Sequence, residues 1–302
     1  MPAALNAEQT AAALPWQALV EAIAALLKAG DVRIPARTVL PTADGAVLFV
    51  MPATDGQVAM TKLISFTPGN AGSDRATIQG DAVVFDVATG TRQLILDGPT
   101  VTARRTAAIS ALAARWLAPN AAGPMLIVGA GVQGRAHLEA FAGVLGVREF
   151  RIASRSQAGA DRLVQHARAL GLHAGTMLDA DAALADCPLA VTCTPASGVV
   201  LRARPRPDAF VAAVGAFTPR MVELDAPLCR HFATQGRIVV DSRDADHEAG
   251  DLLQAGIAVA PLATLQDVVR AELAAKSGPV LFKSCGWAGW DLAAARLALA
   301  RA

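Results

Sequence analysis

Residues 124–134 read Pro124-Met125-Leu126-Ile127-Val128-Gly129-Ala130-Gly131-Val132-Gln133-Gly134, an apolar run that stops at glycines spaced G-x-G-x-x-G and runs on into helix-compatible sequence. That is the pattern of a dinucleotide-binding turn. Gly129 would make the tight turn, Gly131 would let a pyrophosphate approach the backbone, and Gly134 would let the helix pack closely on the strand. The free N–H groups where the helix starts, around Ala130, Val132 and Gln133, then face the phosphates. A glycine-rich turn alone is weak evidence, so the context matters. A second apolar strand, Glu149-Phe150-Arg151-Ile152-Ala153, ends roughly 20 residues beyond the glycines, where an adenosine ribose is read.

At that strand end stand Ser154, Arg155 and Ser156, with no acidic residue. An Asp or Glu there would accept hydrogen bonds from a free ribose 2′-hydroxyl, whereas an arginine flanked by hydroxyls suits a 2′-phosphate. NADP(H) is therefore favoured, with NAD(H) as the second choice. The plainer reading of Arg155 is a solvated loop residue that stacks on adenine with either cofactor.

Around this turn the chain divides in two. Residues 7–29 read as an alanine-rich amphipathic helix, and short β-rich runs follow at 47–51, 58–66, 82–85 and 93–96, with a hairpin turn at 88–91. Residues 100–117 return to a helical pattern that Pro119 and Asn120 break. Beyond it, strands and helices alternate at 125–128, 135–143, 149–153, 157–170, 189–194, 209–215 and 237–241, which predicts a parallel sheet with crossover helices. The expected fold is α/β: a Rossmann-type dinucleotide domain over 119–278, and an α+β domain with antiparallel strands over 1–118. The tail, 279–302, is expected to return to the first domain.

Composition narrows the function classes. The 302 residues carry 27 basic and 26 acidic side chains, a formal net charge of +1, which offers nothing to attract a polyanion. No apolar run reaches the roughly 20 residues that span a bilayer, and no basic segment followed by an apolar core opens the chain. The expectation is a soluble, cytoplasmic protein with neither nucleic acid nor membrane as partner. Cys187, Cys193, Cys229 and Cys285 show no C-x-x-C pairing and read as reduced, packed thiols; the five histidines have no ligand spacing, so no metal is expected. Tyrosine is absent, which removes the Tyr-Lys acid pair many reductases use.

Taken together, the motifs resemble the ornithine cyclodeaminase/mu-crystallin family over nearly the whole length. They come in order: Arg33 to Arg37, Phe49 to Ala53, Thr61-Lys62-Leu63, Thr102 to Ala108, Gly129 to Gly134, Ser154 to Ser156, Val214 to Pro219 with Glu223-Leu224, and Phe282 to Gly286 running on to Asp291. The resemblance implies a nicotinamide cofactor and a small amino or imino acid substrate. It also implies a homodimer, with the first domain supplying strands to the dimer interface and lining the active site.

The family pattern assigns the substrate carboxylate to the residues matching Arg37, Lys62 and Arg105. Guanidinium groups bind carboxylates in bidentate fashion, and fixing the substrate supplies the geometry for hydride transfer. Alternatives stand beside each: Arg37 as a surface charge in a Pro-bounded loop, Lys62 as a strand residue facing solvent by alternation, and Arg105 as a contact to cofactor phosphate. Hydride adds best to a protonated imine, and Lys62, buried beside two arginines, would have the lowered pKa that lets it donate the proton. A bound water is the other candidate. Thr77 and Gln79 match family positions facing the substrate, though isolated polar residues are more often structural. Thr192, Thr194, Val214 and Gly215 close strands at the carboxyl edge where open sheets bind ligands, and are expected to flank the cofactor. Asp241 reads as structural or cofactor-orienting, and Asp291 as the cap or start of the last helix, with a catalytic role as the alternative.

One departure chooses among functions. Ornithine cyclodeaminases carry an aspartate after V-G-A or V-G-G, and there this chain has Phe217. A phenyl ring can take neither a proton nor an ammonium hydrogen bond, but it can pack against the methylenes of a preformed cyclic imine. The implied activity is NAD(P)H-dependent reduction of Δ1-pyrroline-2-carboxylate to L-proline, with the six-membered Δ1-piperideine-2-carboxylate, giving L-pipecolate, as the other ring. Two alternatives stay open: ornithine cyclodeaminase, and a mu-crystallin-like NADPH-dependent small-ligand binder.

Overall fold

The computed structural model describes residues 3–70, 73–195, 197–271 and 278–301, and its chain forms two compact units, Met1–Arg105 with Trp287–Ala302, and Thr106–Gly286. The first unit is a six-stranded sheet of β1 (Ala3–Leu5), β2 (Thr38–Pro41), β3 (Val47–Thr54), β4 (Val58–Phe66), β5 (Ile78–Asp86) and β6 (Arg92–Asp97), in the order β1-β6-β5-β4-β3-β2. It is antiparallel except where β1 joins β6. The hairpin turn after β5 forms where expected, with Thr89 donating its N–H and hydroxyl to the Asp86 carboxylate and Gly90 at φ 69°.

Alternation puts Met51, Ala53, Met60, Ile64, Ala82, Val84, Leu94 and Leu96 on one buried face. Helices Trp16–Ala29 and Ala288–Leu299 pack together, and the latter lies on β3 to β6. The single helix expected over 7–29 is two, Ala7–Ala13 and Trp16–Ala29, bent by 65°. Pro15 cannot donate an N–H and excludes Leu14 from helical geometry, while an Asn6/Gln9 capping box starts the first piece.

The second unit is an eight-stranded, all-parallel sheet: β7 (Met125–Val128), β8 (Glu149–Ala153), β9 (His173–Met177), β10 (Leu189–Thr192), β12 (Phe210–Ala213), β14 (Arg237–Val240), β15 (Ala263–Thr264) and β16 (Val280–Lys283). Two short strands, β11 (Ser197–Leu201) and β13 (Val222–Leu224), pair separately. The order β9-β8-β7-β10-β12 reverses direction at β7/β10, the switch point at which open α/β sheets bind ligands. The tail departs from expectation here. Strand β16 does not leave with residues 287–302; it is hydrogen-bonded between β12 and β14 and fully buried, because four residues of Val-Leu-Phe-Lys complete the sheet's interior. The first-domain boundary also moves, since helix Gly98–Leu117 passes from one unit to the other at Arg105/Thr106.

Among the described residues, no single helix is long and apolar enough to cross a membrane, and no group of three or more His, Cys, Asp or Glu is placed to hold a metal ion. Among the described residues no disulfide joins the cysteines; Cys187, Cys229 and Cys285 are buried and Cys193 half-buried.

Candidate functional site

The glycine turn links β7 to helix Val132–Leu145. Gly129 sits at φ 116°, where a side chain is strained, and a Cβ on it would lie 2.8 Å from Cys193 O. Gly134 is more confined still: a Cβ would come within 2.0 Å of Gly129 O and 3.3 Å of Ile127 Cγ2. Gly131 differs, since nothing lies within 4 Å of its Cβ position. It is also the N-cap, with no side chain capping the helix, so the first N–H groups are left for a ligand. Beside it Ala130 is half-buried and Val132 is 72% exposed, an apolar side chain presented at the mouth of the turn. The turn is braced from below by His137, whose Nδ1 donates to Gln133 O at 2.8 Å and whose Nε2 lies 3.0 Å from Ser110 Oγ. Burial lowers its pKa to about 4, so it is neutral.

Where β8 ends, Arg155 is exposed and Ser154 half-buried. Ser156 also has a structural duty: its hydroxyl caps helix Gln157–Ala169 by accepting the Gly159 N–H at 3.2 Å.

At the carboxyl edge of β10 and β12 the organising group is Glu223, to which the sequence pattern assigns no role. It is fully buried and accepts from Thr192 Oγ1 (3.0 Å), Thr194 N (2.7 Å), Thr194 Oγ1 (2.8 Å), Gly215 N (2.6 Å) and Ala216 N (3.3 Å). The hydroxyls of Thr192 and Thr194 therefore point at Glu223, and Thr192 is wholly buried, so both help to shape two adjacent loops. Val214 and Gly215 are half-buried at this edge. Burial pushes the Glu223 carboxyl up, and Lys283 and the Thr194 donors oppose it.

Lys283 belongs to the same network, with Nζ 2.8 Å from Asp251 Oδ2 and donating to Ala216 O at 2.5 Å. Burial opposes its charge, but Asp251, Cys285 and Glu223 outweigh that and hold its pKa above the ordinary lysine value. Asp251 in turn accepts the N–H groups of Glu223 and Leu224. Asp241 is structural: it accepts the Ser284 hydroxyl and the N–H groups of Ser242, Cys285 and Gly286, which pins the segment after β16. The Phe217 ring is half-buried and packs against the apolar core of this unit. A carboxylate in so short an apolar strand as Val222-Glu223-Leu224, or an ammonium ending Val-Leu-Phe-Lys, is the kind of signal that marks such a network, because a buried charge must find partners.

The first unit holds the second constellation. Lys62 lies in the middle of β4, paired with Met51 on one side and Ala82 on the other, and alternation turns it inward with Met60 and Ile64 while Leu63 faces out. The solvent-facing alternative is thereby overturned: Lys62 is 1% exposed. Its Nζ donates to both carboxylate oxygens of Asp291, each at 2.9 Å. Arg105, 6% exposed, brings Nε to 3.3 Å from the same carboxylate, an ion-pair distance without hydrogen-bond alignment. Its neighbour Arg104 turns away, donating to Leu14 O and stacking its guanidinium 3.8 Å over the Trp16 ring. Arg37, half-buried before β2, lies over the Phe49 ring at 5.6 Å and adds its charge to the field at Lys62. Burial is the main force lowering the Lys62 pKa to about 8; Asp291 opposes it, and Arg105 and Arg37 add to it.

Asp291 is not the helix cap. Trp287 occupies that place, and Asp291 lies one turn inside Ala288–Leu299, wholly buried. The cue was the company it keeps, since a lone acid within Trp-Asp-Leu-Ala-Ala-Ala on a core helix requires a cation. Gln79 does not join the cluster: it pairs with Ser65, on the face opposite Lys62, and is exposed with Nε2 donating to Ala76 O. Thr77 precedes β5, half-buried, its carbonyl accepting the Thr67 N–H.

Comparison with known proteins adds to this geometry. Residues 4–302 match the ornithine cyclodeaminase/mu-crystallin family. The chain is 39% identical to Delta(1)-pyrroline-2-carboxylate reductase 2 of Burkholderia ambifaria, over 98% of this chain and 94% of that one. It is 33% identical to the ketimine reductase mu-crystallin of Rattus norvegicus, over 89% and 85%. Among solved structures, the Delta(1)-pyrroline-2-carboxylate reductase of Thermococcus litoralis, in complex with NADH and L-proline, has a TM-score of 0.90 at 23% identity, covering 99% of this chain and 96% of that one. An archaeal alanine dehydrogenase dimer with bound NAD has a TM-score of 0.88, also at 23% identity, covering 99% and 95%. With the glycine turn, the inward lysine and these full-length matches in agreement, the chain belongs to the ornithine cyclodeaminase/mu-crystallin family.

Proposed function

We propose that this protein is an NAD(P)H-dependent reductase of small cyclic imino acids, converting Δ1-pyrroline-2-carboxylate to L-proline and taking Δ1-piperideine-2-carboxylate, which gives L-pipecolate, as a second ring. The observation that carries the reading is the charge count at Lys62. Lys62 and Arg105 both meet the single carboxylate of Asp291, two cations on one anion, so the cluster has room for one more anion. A substrate carboxylate supplies it, held by Arg105 and Arg37. Lys62, with its pKa lowered to about 8, donates its proton to the ring nitrogen as the C=N bond is reduced. A bound nicotinamide supplies the hydride. Relatives from Burkholderia multivorans and Azospirillum brasilense, both 37% identical, are also named for reducing Δ1-pyrroline-2-carboxylate, the latter for Δ1-piperideine-2-carboxylate as well.

The residues at the glycine turn fit the dinucleotide. The open side of Gly131, the uncapped helix start and the exposed Val132 form a cradle for a pyrophosphate and its ribose. Arg155, exposed and flanked by Ser154 and Ser156, supports NADP(H) over NAD(H). The reading also includes a homodimer. The outer face of the first sheet carries Val50, Leu63, Val83 and Ile95, all at least partly exposed, where a sheet facing water would carry polar side chains. A second copy of the chain covers it.

The cyclodeaminase reading lacks its acid, since Val214 to Pro219 contains no carboxylate and Glu223 is committed to five donors. Purified protein should oxidise NADPH, and NADH more slowly, in proportion to added Δ1-pyrroline-2-carboxylate, and should release no ammonia from L-ornithine with NAD⁺. Ammonia release with proline formed and no net change in cofactor would overturn the assignment in favour of the cyclodeaminase. Cofactor binding without turnover of either imine would make the protein a binder.

A further inference from the structure

The tail helix Ala288–Leu299 is built almost wholly from alanine, leucine and tryptophan, and nine of its residues from Ala288 to Ala298 are buried. Asp291 is one of them, at 0% exposure. An apolar residue would serve the packing there at least as well, because a buried ion pair seldom outperforms a hydrophobic substitute of the same volume. Lys62 poses the complementary problem. Its backbone is held at the centre of a sheet, but its ammonium rides on four methylenes whose rotamers leave the tip undefined unless something grips it. Both carboxylate oxygens of Asp291 lie 2.9 Å from that tip. Resting on the reductase reading above, we propose that Asp291 is a positioning residue, which holds the Lys62 ammonium in one place and keeps it protonated until it gives its proton to the substrate.

The charged groups that face Lys62 support this. Arg105 from helix Gly98–Leu117 and Arg37 from the loop before β2 both disfavour its charge, as does burial, and the strand neighbours Met51 and Ala82 do not titrate. Asp291 is the counterweight. Without it, a buried lysine beside two guanidinium groups would be neutral at working pH and would have no proton to deliver. After the transfer, the neutral amine still donates to the same carboxylate, so the tip stays in place for reprotonation.

The test compares Asp291→Asn and Asp291→Glu with the unaltered protein. Two readouts serve: the alkaline limb of kcat/KM with Δ1-pyrroline-2-carboxylate, and the titration of Lys62 followed by NMR of ¹³Cε-labelled lysine, assigned with Lys62→Met. In the unaltered protein the Lys62 midpoint should fall at about 8. Asp291→Asn should move both midpoint and limb down by about one to three pH units and lower turnover at pH 7 by about tenfold or more. Asp291→Glu keeps the charge and displaces it by a methylene, so the limb should stay within about half a unit while turnover falls by about tenfold. An unmoved Lys62 midpoint in Asp291→Asn, or wild-type turnover in Asp291→Glu, would overturn the proposal. Should Asp291→Asn fail to fold, the Glu variant decides alone on the same terms. The NMR arm needs no activity, so a protein that reduces no imine but shows the shift refutes the reductase reading and leaves the hold of Asp291 on Lys62 intact.

Discussion

Lys62 shows how one residue's chemistry follows from where alternation sends it. Strand β4 could have placed an ammonium in water at no cost; register places it inward, where charge is expensive and its pKa falls to about 8. The sign of the pH effect follows. Below about 8 the side chain carries the proton, above it the proton is gone, and a donor's rate falls as pH rises through that value. The kcat/KM profile for the cyclic imine should therefore bend down near pH 8. Lys62→Met should cut turnover by about 10²- to 10⁴-fold and remove that bend, with NADPH binding followed by fluorescence nearly unchanged. A bend that persists in a measurably active Lys62→Met protein would give the proton to another group. Its parity is legible in Met60 to Phe66, since Met60, Ile64 and Phe66 share it and Leu63 alone opposes them, but the carboxylate that lets an ammonium join an apolar stripe lies 229 positions away.

At the scale of the element, the glycine turn separates two jobs usually credited to one motif. Gly134 exists for packing and Gly131 for access. Gly134→Ala would force a Cβ to within 2.0 Å of a backbone carbonyl, so the turn must shift, at a cost of about 1–3 kcal/mol. A lower melting temperature should appear even without cofactor. Gly131→Ala meets nothing within 4 Å and should melt like the unaltered protein, yet bind NADPH more weakly, since the methyl occupies the side on which the pyrophosphate approaches. Thermal melts and fluorescence titrations of both variants check this; unchanged NADPH affinity in Gly131→Ala would move the phosphates off this turn. The turn's spacing was legible from sequence because it depends on three local backbone positions. Glu223 was not, because its five donors come from Thr192, Thr194, Gly215 and Ala216, which only the pairing of β10 with β12 brings to one carboxylate.

For the whole molecule, the first sheet leaves one face half-covered. Leu63 is 44% exposed at the middle of that face, flanked in register by Val50. The protein should sediment as a dimer at micromolar concentration, and Leu63→Glu should shift it towards monomer while its far-UV circular dichroism is retained, because the substitution charges the outer face and leaves the inner one intact. A wild-type monomer under those conditions would show that the face stays open to water.

The two-part plan, the parallel sheet and the dinucleotide turn were readable in the sequence because each rests on local periodicity and on glycines whose conformations neighbours dictate. Tertiary structure decided what local pattern cannot carry. It put Val280–Lys283 between two strands nearly seventy and forty residues earlier in the chain, since a buried four-residue run pairs wherever the sheet has an opening. It also turned Asp291 from a helix-start residue into the carboxylate opposite Lys62, 229 positions away. A charge sealed in a core must be met by another charge, and only the folded chain selects which one.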